Sequence, residues 1–146
     1  MLFRSEIFKE LVNTDPMKTK QLEKGISQLT DEGVAQLFTQ YGGNRKIVGT
    51  VGELQFEVIQ YRLEHEYGAS CRFNMLTIFK ACWVTSEDRT KLEEFVRFRQ
   101  HQVATDKDGN LVYLAESQWM LDQMIKNHPD VQFHFTSEFK TKAAEV

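Results

Sequence analysis

The sequence predicts an α+β chain of two fused ferredoxin-like modules, with helices layered on mainly antiparallel sheet. Two observations carry this. Short strand-like runs of period two alternate with stretches of helical apolar period, so neither all-α nor all-β architecture fits. The same element order can also be written for both halves of the 146 residues, provided the first segment is extended. No identity between the halves is visible, so the repeat is one of architecture.

Glu6 to Asn13 opens the chain, and Ile7, Phe8, Leu11 and Val12 fit a helix as well as an irregular strand. Asp15 before Pro16 is a helix start, since proline is tolerated in a first turn. Leu22, Ile26 and Leu29 then mark one helix face ending near Gly33. Val34 to Tyr41 reads as a strand, turned by Gly42-Gly43-Asn44 into Arg45 to Gly49. Gly49 and Gly52 are expected where the chain turns tightly, and a helix follows from Glu53 to Tyr67, stopped by Gly68. Its apolar face reads as Leu54, Val58, Tyr61 and Leu63, with Leu54 and Val58 in the core. Ser70 to Leu76 is a strand with Cys71, Phe73 and Met75 on one face.

In the second half, Thr77 to Thr85 is strand-like, and Ser86 can cap a helix carrying Leu92, Phe95 and Val96. Gln102 to Thr105 and Leu111 to Ala115 flank Asp106-Lys107-Asp108-Gly109-Asn110, a hairpin signal. Ser117 caps a helix with Leu121, Met124 and Ile125, Pro129 lies past its end, and Val131 to Phe135 alternates as a last strand. The expected division is 1–76, 77–138 and a frayed tail over 139–146, with no low-complexity linker, so the halves are expected to pack closely.

Composition narrows the function classes. Hydrophobic residues at 41% and eleven Phe argue for packed cores rather than disorder. A net charge of −3 is mild, so any RNA contact should be local and assisted by other parts. No apolar run is long enough to span a bilayer, and Met1 to Ser5 lacks the features of a signal peptide. Whether Met1 and Leu2 are native is open at this level. Cys71 and Cys82 lack zinc-ligand spacing and read as buried, reduced thiols, consistent with a cytosolic protein.

Several segments carry a resemblance. Gly49-Thr50-Val51-Gly52-Glu53-Leu54, then Arg62-Leu63 and Glu66-Tyr67, resembles a segment of the third domain of translational GTPases. Asp15 to Leu22, Gln28 to Gly33, Gly52 to Phe56 and Pro129 to His134 look like the C-terminal domain of the peptide chain release factor 3 family. Their order and spacing together make the match fairly specific. The resemblance favours the extended reading of Glu6 to Asn13, because translational GTPases use ferredoxin-like modules repeatedly. It implies a role in translation termination, where the parent factor is a ribosome-dependent GTPase that promotes departure of class I release factors. This chain would be a docking and lever domain meeting the ribosome near the small subunit, through its protein or rRNA. The G-x-x-x-x-G-K-[ST] phosphate loop is absent, so GTP and magnesium would belong to the GTPase and second domains of the parent.

Candidate residues have ordinary readings beside the functional ones. Lys18, Lys20 and Lys24 gather near a helix start, against the helix dipole, and Arg45 and Lys46 follow a glycine turn from which they could project. Ribosome contact is the functional reading, a solvated surface the ordinary one. Arg89, Lys91, Arg97 and Arg99 read as a well-made surface helix, or as a basic C-terminal end facing phosphate or an acidic partner. Glu53 and Glu57 lie four apart without a partner nucleophile, a solvated face rather than an acid–base pair. His65, His101 and His134 read as surface or rim residues, and His128 falls in a helix's last turn, where positive charge is favoured. Phe73 and Phe133 alternate as core residues do, rather than as an RNA stacking platform. No catalytic, cofactor or metal set stands out. A stand-alone ferredoxin-like regulatory module for small molecules remains an alternative, and a small enzyme is disfavoured by the lack of a nucleophile, base and orienting group.

Overall fold

The computed structural model describes residues 6–135. The expectations for Met1 and Leu2 and for a frayed tail over 139–146 lie outside the described residues. The chain is α+β, and it divides into two compact units: residues 6–39 with Asn44–Thr77, and Gln40–Gly43 with residues 78–135.

The first unit contains β1 (Ile7–Asn13), α1 (Thr19–Asp31), β2 (Gln36–Gln40), β3 (Lys46–Thr50), α2 (Leu54–Tyr67) and β4 (Cys71–Met75). The strands pair antiparallel in the order β4-β1-β3-β2, which the ferredoxin-like chain path requires. The ambiguous first segment is extended because it is a central strand: Leu11 pairs with Lys46 on one side and Phe73 on the other. A strand bonded on both edges satisfies every backbone group without needing a helix. Asp15 caps a short 3-10 turn, Pro16–Lys18, by accepting from the Met17 amide at 3.0 Å. Gly33, Gly42 and Gly68 take φ of 86°, 72° and 67°, the left-handed turns that end α1, leave β2 and end α2.

The core of this unit joins Leu22, Ile26 and Leu29 of α1 to Phe56, Ile59 and Leu63 of α2 over Leu11 and Val48. The expected face of α2 therefore holds at Leu63, which is buried, and fails at its other positions. Leu54, Val58 and Tyr61 are exposed at 68%, 43% and 62%. Two apolar stripes of helical spacing run along α2, and contact with α1 buries the stripe through Ile59. Gly49 also differs from expectation: it lies inside extended β3, and a Cβ there would stand 2.9 Å from the Phe8 ring. Its lack of a side chain is filled by an aromatic ring rather than used for a turn. In β4, Met75 is 77% exposed although it shares parity with buried Cys71.

At Gly25, side chains of α2 pack directly against the backbone of α1. A Cβ there would lie 2.6 Å from Leu63 Cδ2 and 2.9 Å from the Tyr67 ring. At a free helix position Gly→Ala would gain about 1 kcal/mol. Here overpacking reverses the sign, and Gly25→Ala is expected to lose about 1–3 kcal/mol in urea unfolding. A stabilised variant would mean that the two helices can separate at no cost.

The second unit contains β5 (Lys80–Thr85), α3 (Arg89–Arg97), β6 (Val103–Thr105), β7 (Leu111–Ala115), α4 (Gln118–Asn127) and β8 (Gln132–His134). Its antiparallel order, β6-β7-β5-β8, is the same chain path read from the other edge. Cys82, Val84, Phe95, Val96, Val103, Tyr113 and Leu121 form its core. In the β6–β7 hairpin, Asp106 accepts from the amides of Asp108 and Asn110, both at 2.9 Å, and Gly109 takes φ 86°. Ser117 caps α4 by accepting from the Met120 amide at 3.1 Å, as expected. Ser86 does not cap α3. Asp88 does, accepting from Thr90 and Lys91 amides at 3.0 and 3.3 Å, while the Ser86 hydroxyl donates to the Asp130 carbonyl at 2.6 Å. The charged acceptor two residues closer to the helix takes the role.

Candidate functional site

Lys18, Lys20 and Lys24 are all exposed: Lys18 ends the 3-10 turn before α1, and Lys20 and Lys24 lie on the face of α1 opposite Leu22, Ile26 and Leu29. The first turn of α1 carries no acidic residue, so positive charge adds to the positive end of the helix dipole. Arg45 and Lys46 differ from the projecting pair expected of a loop tip. Both are half-buried. The Arg45 guanidinium engages Glu10 through Nε at 3.1 Å and Nη2 at 3.3 Å, and Lys46 Nζ donates to Thr39 Oγ1 at 3.2 Å. The exposed tip is Gly42–Asn44 instead, because cross-strand partners draw both basic chains back over the sheet. The register still brings the groups together: β1 runs past the Leu11–Lys46 pair to Asn13 and then into α1, so both lie at one end of this unit.

The residues of the quoted motif are mainly structural. Arg62 ties α2 to the end of α1, meeting Glu66 at 2.8 and 3.0 Å and Glu32 at 2.9 and 3.3 Å. Its bonds to Glu66 and Glu32 raise the guanidinium pKa further, and the same bonds lower that of Glu66. Leu63 is fully buried. Glu53 is the N-cap residue of α2 but makes no side-chain cap bond; its carboxylate accepts from Lys9 Nζ, which also lies 4.7 Å over the Phe56 ring.

A cavity of about 250 Å³ opens in the second unit between the C-terminal end of α3 and the segment from Asn127 to Val131. Phe95 forms its floor, 1% exposed. The Arg99 guanidinium lies over that ring at 4.8 Å, anchored by Nε to the Met124 sulfur at 2.9 Å and by Nη1 to the Phe95 carbonyl at 3.4 Å. Arg99 sits beyond α3 rather than in it, because the helix ends at Arg97. The His128 ring meets Phe95 edge-on at 5.0 Å, and its Nε2 is buried without a hydrogen-bond partner. Phe98 stands at the mouth, 73% exposed, with the Arg97 guanidinium 5.1 Å from its centroid. Exposed Lys91, Glu94 and Asp130 complete the rim. Sequence reasoning saw the basic end of α3 but missed His128 and Phe98, which share no local pattern with it.

His128 corrects a second expectation. It caps the last turn of α4, its amide donating to the Met124 carbonyl at 3.1 Å, but positive charge is not favoured there: burial, with Arg99 beside it, lowers its pKa below the usual 6.5. A depressed pKa makes protonation favour the unfolded chain. Its contribution to stability is thus complete above pH 6.5 and is lost as pH falls toward the folded-state value. Unfolding free energy should fall through this window more steeply than in His128→Gln; parallel pH profiles would contradict the assignment.

Cys71 and Cys82 are free and buried, and burial raises their thiols to about 11 and about 12, which suppresses thiolate chemistry. Phe73 packs edge-on to Phe56 at 5.0 Å and Phe133 to Phe95 at 5.7 Å, core roles as expected. Among the described residues no group of three or more His, Cys, Asp or Glu could hold a metal ion, and no helix is long and apolar enough to cross a membrane. Residues 2–125 match the family described as class II release factor RF3, C-terminal domain. The match spans most of the 146 residues, from before β1 into α4, and the chain therefore belongs to the family of release factor RF3 C-terminal domains.

Proposed function

We propose that this chain is the ribosome-docking and lever domain of a release factor 3, acting in translation termination in the cytoplasm. In this reading it contacts the small subunit, through protein or rRNA, and relays GTP-dependent changes that dissociate class I release factors. Residues 1–76 are then the module shared with translational GTPases, and 77–138 the module particular to the release factor. GTP and magnesium act on domains outside this chain. Family membership over residues 2–125 is the observation that carries the reading. The exposed Lys18, Lys20 and Lys24, with Arg45 and Lys46 at the same end, support a contact surface there.

The test uses the full-length factor with Lys18, Lys20 and Lys24 changed to Ala, and separately Arg45 and Lys46. Ribosome affinity is compared at low and moderate salt beside folded stability. The lysine variant should fold normally, bind more weakly and lose about 0.7 of salt slope per phosphate contact removed. Arg45→Ala should cost stability as well, since it strands Glu10. Unchanged affinity and slope in both variants would make these residues solvated surface. The isolated chain should neither bind GTP in calorimetry nor hydrolyse it with ribosomes present; micromolar binding or stimulated turnover contradicts the assignment.

A further inference from the structure

We propose that a groove along one flank of α3 docks an amphipathic helix of a separate protein. That helix carries apolar residues on one face and, beside them, an acid, a base and an acid one turn apart. The proposal goes beyond the ribosome-docking reading and does not depend on it. The groove has a volume of about 440 Å³ and lies within the second unit. Leu92 and Val96 of α3 and Leu111 of β7 give it an apolar floor, and Tyr41 completes the lining. Val96 is buried, Leu92 and Leu111 are half-buried, and Tyr41 is 40% exposed. The Tyr41 amide donates to the Val103 carbonyl at 2.9 Å, so the ring stands on a fixed backbone. A tyrosine held in this way covers apolar area at small cost in side-chain freedom.

Spacing and sign choose the occupant. α3 lines the groove with positions 89, 92, 93, 96 and 97, which form one helical face. Arg89 and Arg97 are about 12 Å apart along the axis, enough to seat two turns of a second helix. Arg89, Glu93 and Arg97 are all exposed and make a row of plus, minus and plus along one side. Among the described residues none of the three joins an ion pair, although i, i+4 spacing permits it; the Arg97 guanidinium lies 5.1 Å from the Phe98 ring. The complement of that row is acid, base, acid at the same spacing. RNA does not match it, because Glu93 opposes a polyanion laid between the two arginines. A second copy does not match it either, because no helix among the described residues carries acid, base and acid at i, i+4 and i+8. Exposed ion pairs are individually weak, so the apolar floor supplies affinity and the charged row selects the partner.

The 146-residue chain is titrated, by fluorescence anisotropy at low salt, with labelled helical peptides of about 18 residues, or five turns. One peptide bears a leucine face flanked by Glu, Lys and Glu one turn apart, the second reverses those charges, and the third replaces the leucines by Gln. The Glu-Lys-Glu peptide should bind about two- to fivefold more tightly than its reversed form, and the Gln-faced peptide should not bind. Tyr41→Ala should weaken binding about tenfold. Combining Arg89→Glu, Glu93→Arg and Arg97→Glu should invert the preference between the two charged peptides; if that variant fails to fold in urea unfolding, Tyr41→Ala decides. The proposal is overturned if no leucine-faced peptide binds, if Tyr41→Ala binds as the unsubstituted chain does, or if the folded triple variant keeps the original preference. Tighter binding of heptauridylate than of either peptide would assign the groove to RNA instead. A concentration-dependent dimer in sedimentation, lost in Tyr41→Ala, would assign it to a second copy. The full-length factor should bind the Glu-Lys-Glu peptide as the isolated chain does; failure there alone would mean that the factor's own domains cover the groove, and would overturn the choice of a separate protein. None of these outcomes touches the Lys18, Lys20 and Lys24 surface, which ribosome affinity tests separately.

Discussion

Phe95→Ala is expected to remove about 3–5 kcal/mol of folding free energy, the largest loss of any single truncation in the second unit. The ring is 1% exposed and stands at the centre of an aromatic cluster. Tyr113, His128 and Phe133 meet it edge-to-face at 5.6, 5.0 and 5.7 Å. Each such pair adds about 0.5–1.5 kcal/mol beyond area burial, so the cost lies toward the top of the range for a lost Phe. Truncation would also leave the Arg99 guanidinium facing an apolar void rather than a ring. The rigid sheet beneath, through Val84 and Tyr113, cannot collapse to fill it. Urea unfolding of the 146-residue chain measures the effect. A loss below about 1 kcal/mol would mean that the cluster repacks around a smaller side chain.

Leu63→Ala should cost about 2–5 kcal/mol, while Leu54→Ala should cost less than about 1 kcal/mol. Both are leucines on α2, nine positions apart, and the contrast tests which stripe of the helix is buried. Leu63 has no exposed surface and stands against Gly25 of α1. Leu54 lies at the first residue of α2 and is 68% exposed, so truncation there removes little contact with protein. Comparable losses at both positions would return Leu54 to the core.

The same pair of residues marks how far local information reaches. Turn and cap chemistry acts over a few residues, and it is legible: Asp15 before Pro16, Ser117, and the left-handed Gly33, Gly42, Gly68 and Gly109 fall where the sequence places them. Most of the strands and the four helices among the described residues follow, because their apolar periods are local too, while β1 fits either period and is extended by pairing with β3 and β4. The face of α2 was not legible, because Leu54, Val58 and Tyr61 form as regular a stripe as Phe56, Ile59 and Leu63. Only packing against α1, at the position where Gly25 admits Leu63 and Tyr67, chooses between them.

The candidate sites divide in the same way. Lys18, Lys20 and Lys24 share one short segment, and the exposure of Lys20 and Lys24 was foreseeable from the apolar face of α1 opposite them. Arg45 was misplaced at an exposed tip because its partner, Glu10, is 35 residues away on a neighbouring strand. The α3 cleft assembles Arg99 and His128 from either end of a β6–β7–α4 excursion, around a ring that neither touches in sequence. By itself, then, the sequence determined the α+β class, the order of elements and the family. The buried stripe of α2, the tethering of Arg45 and Lys46, and the convergence of Arg99, His128 and Phe98 were decided by tertiary structure, because each depends on contacts between segments that no local propensity links.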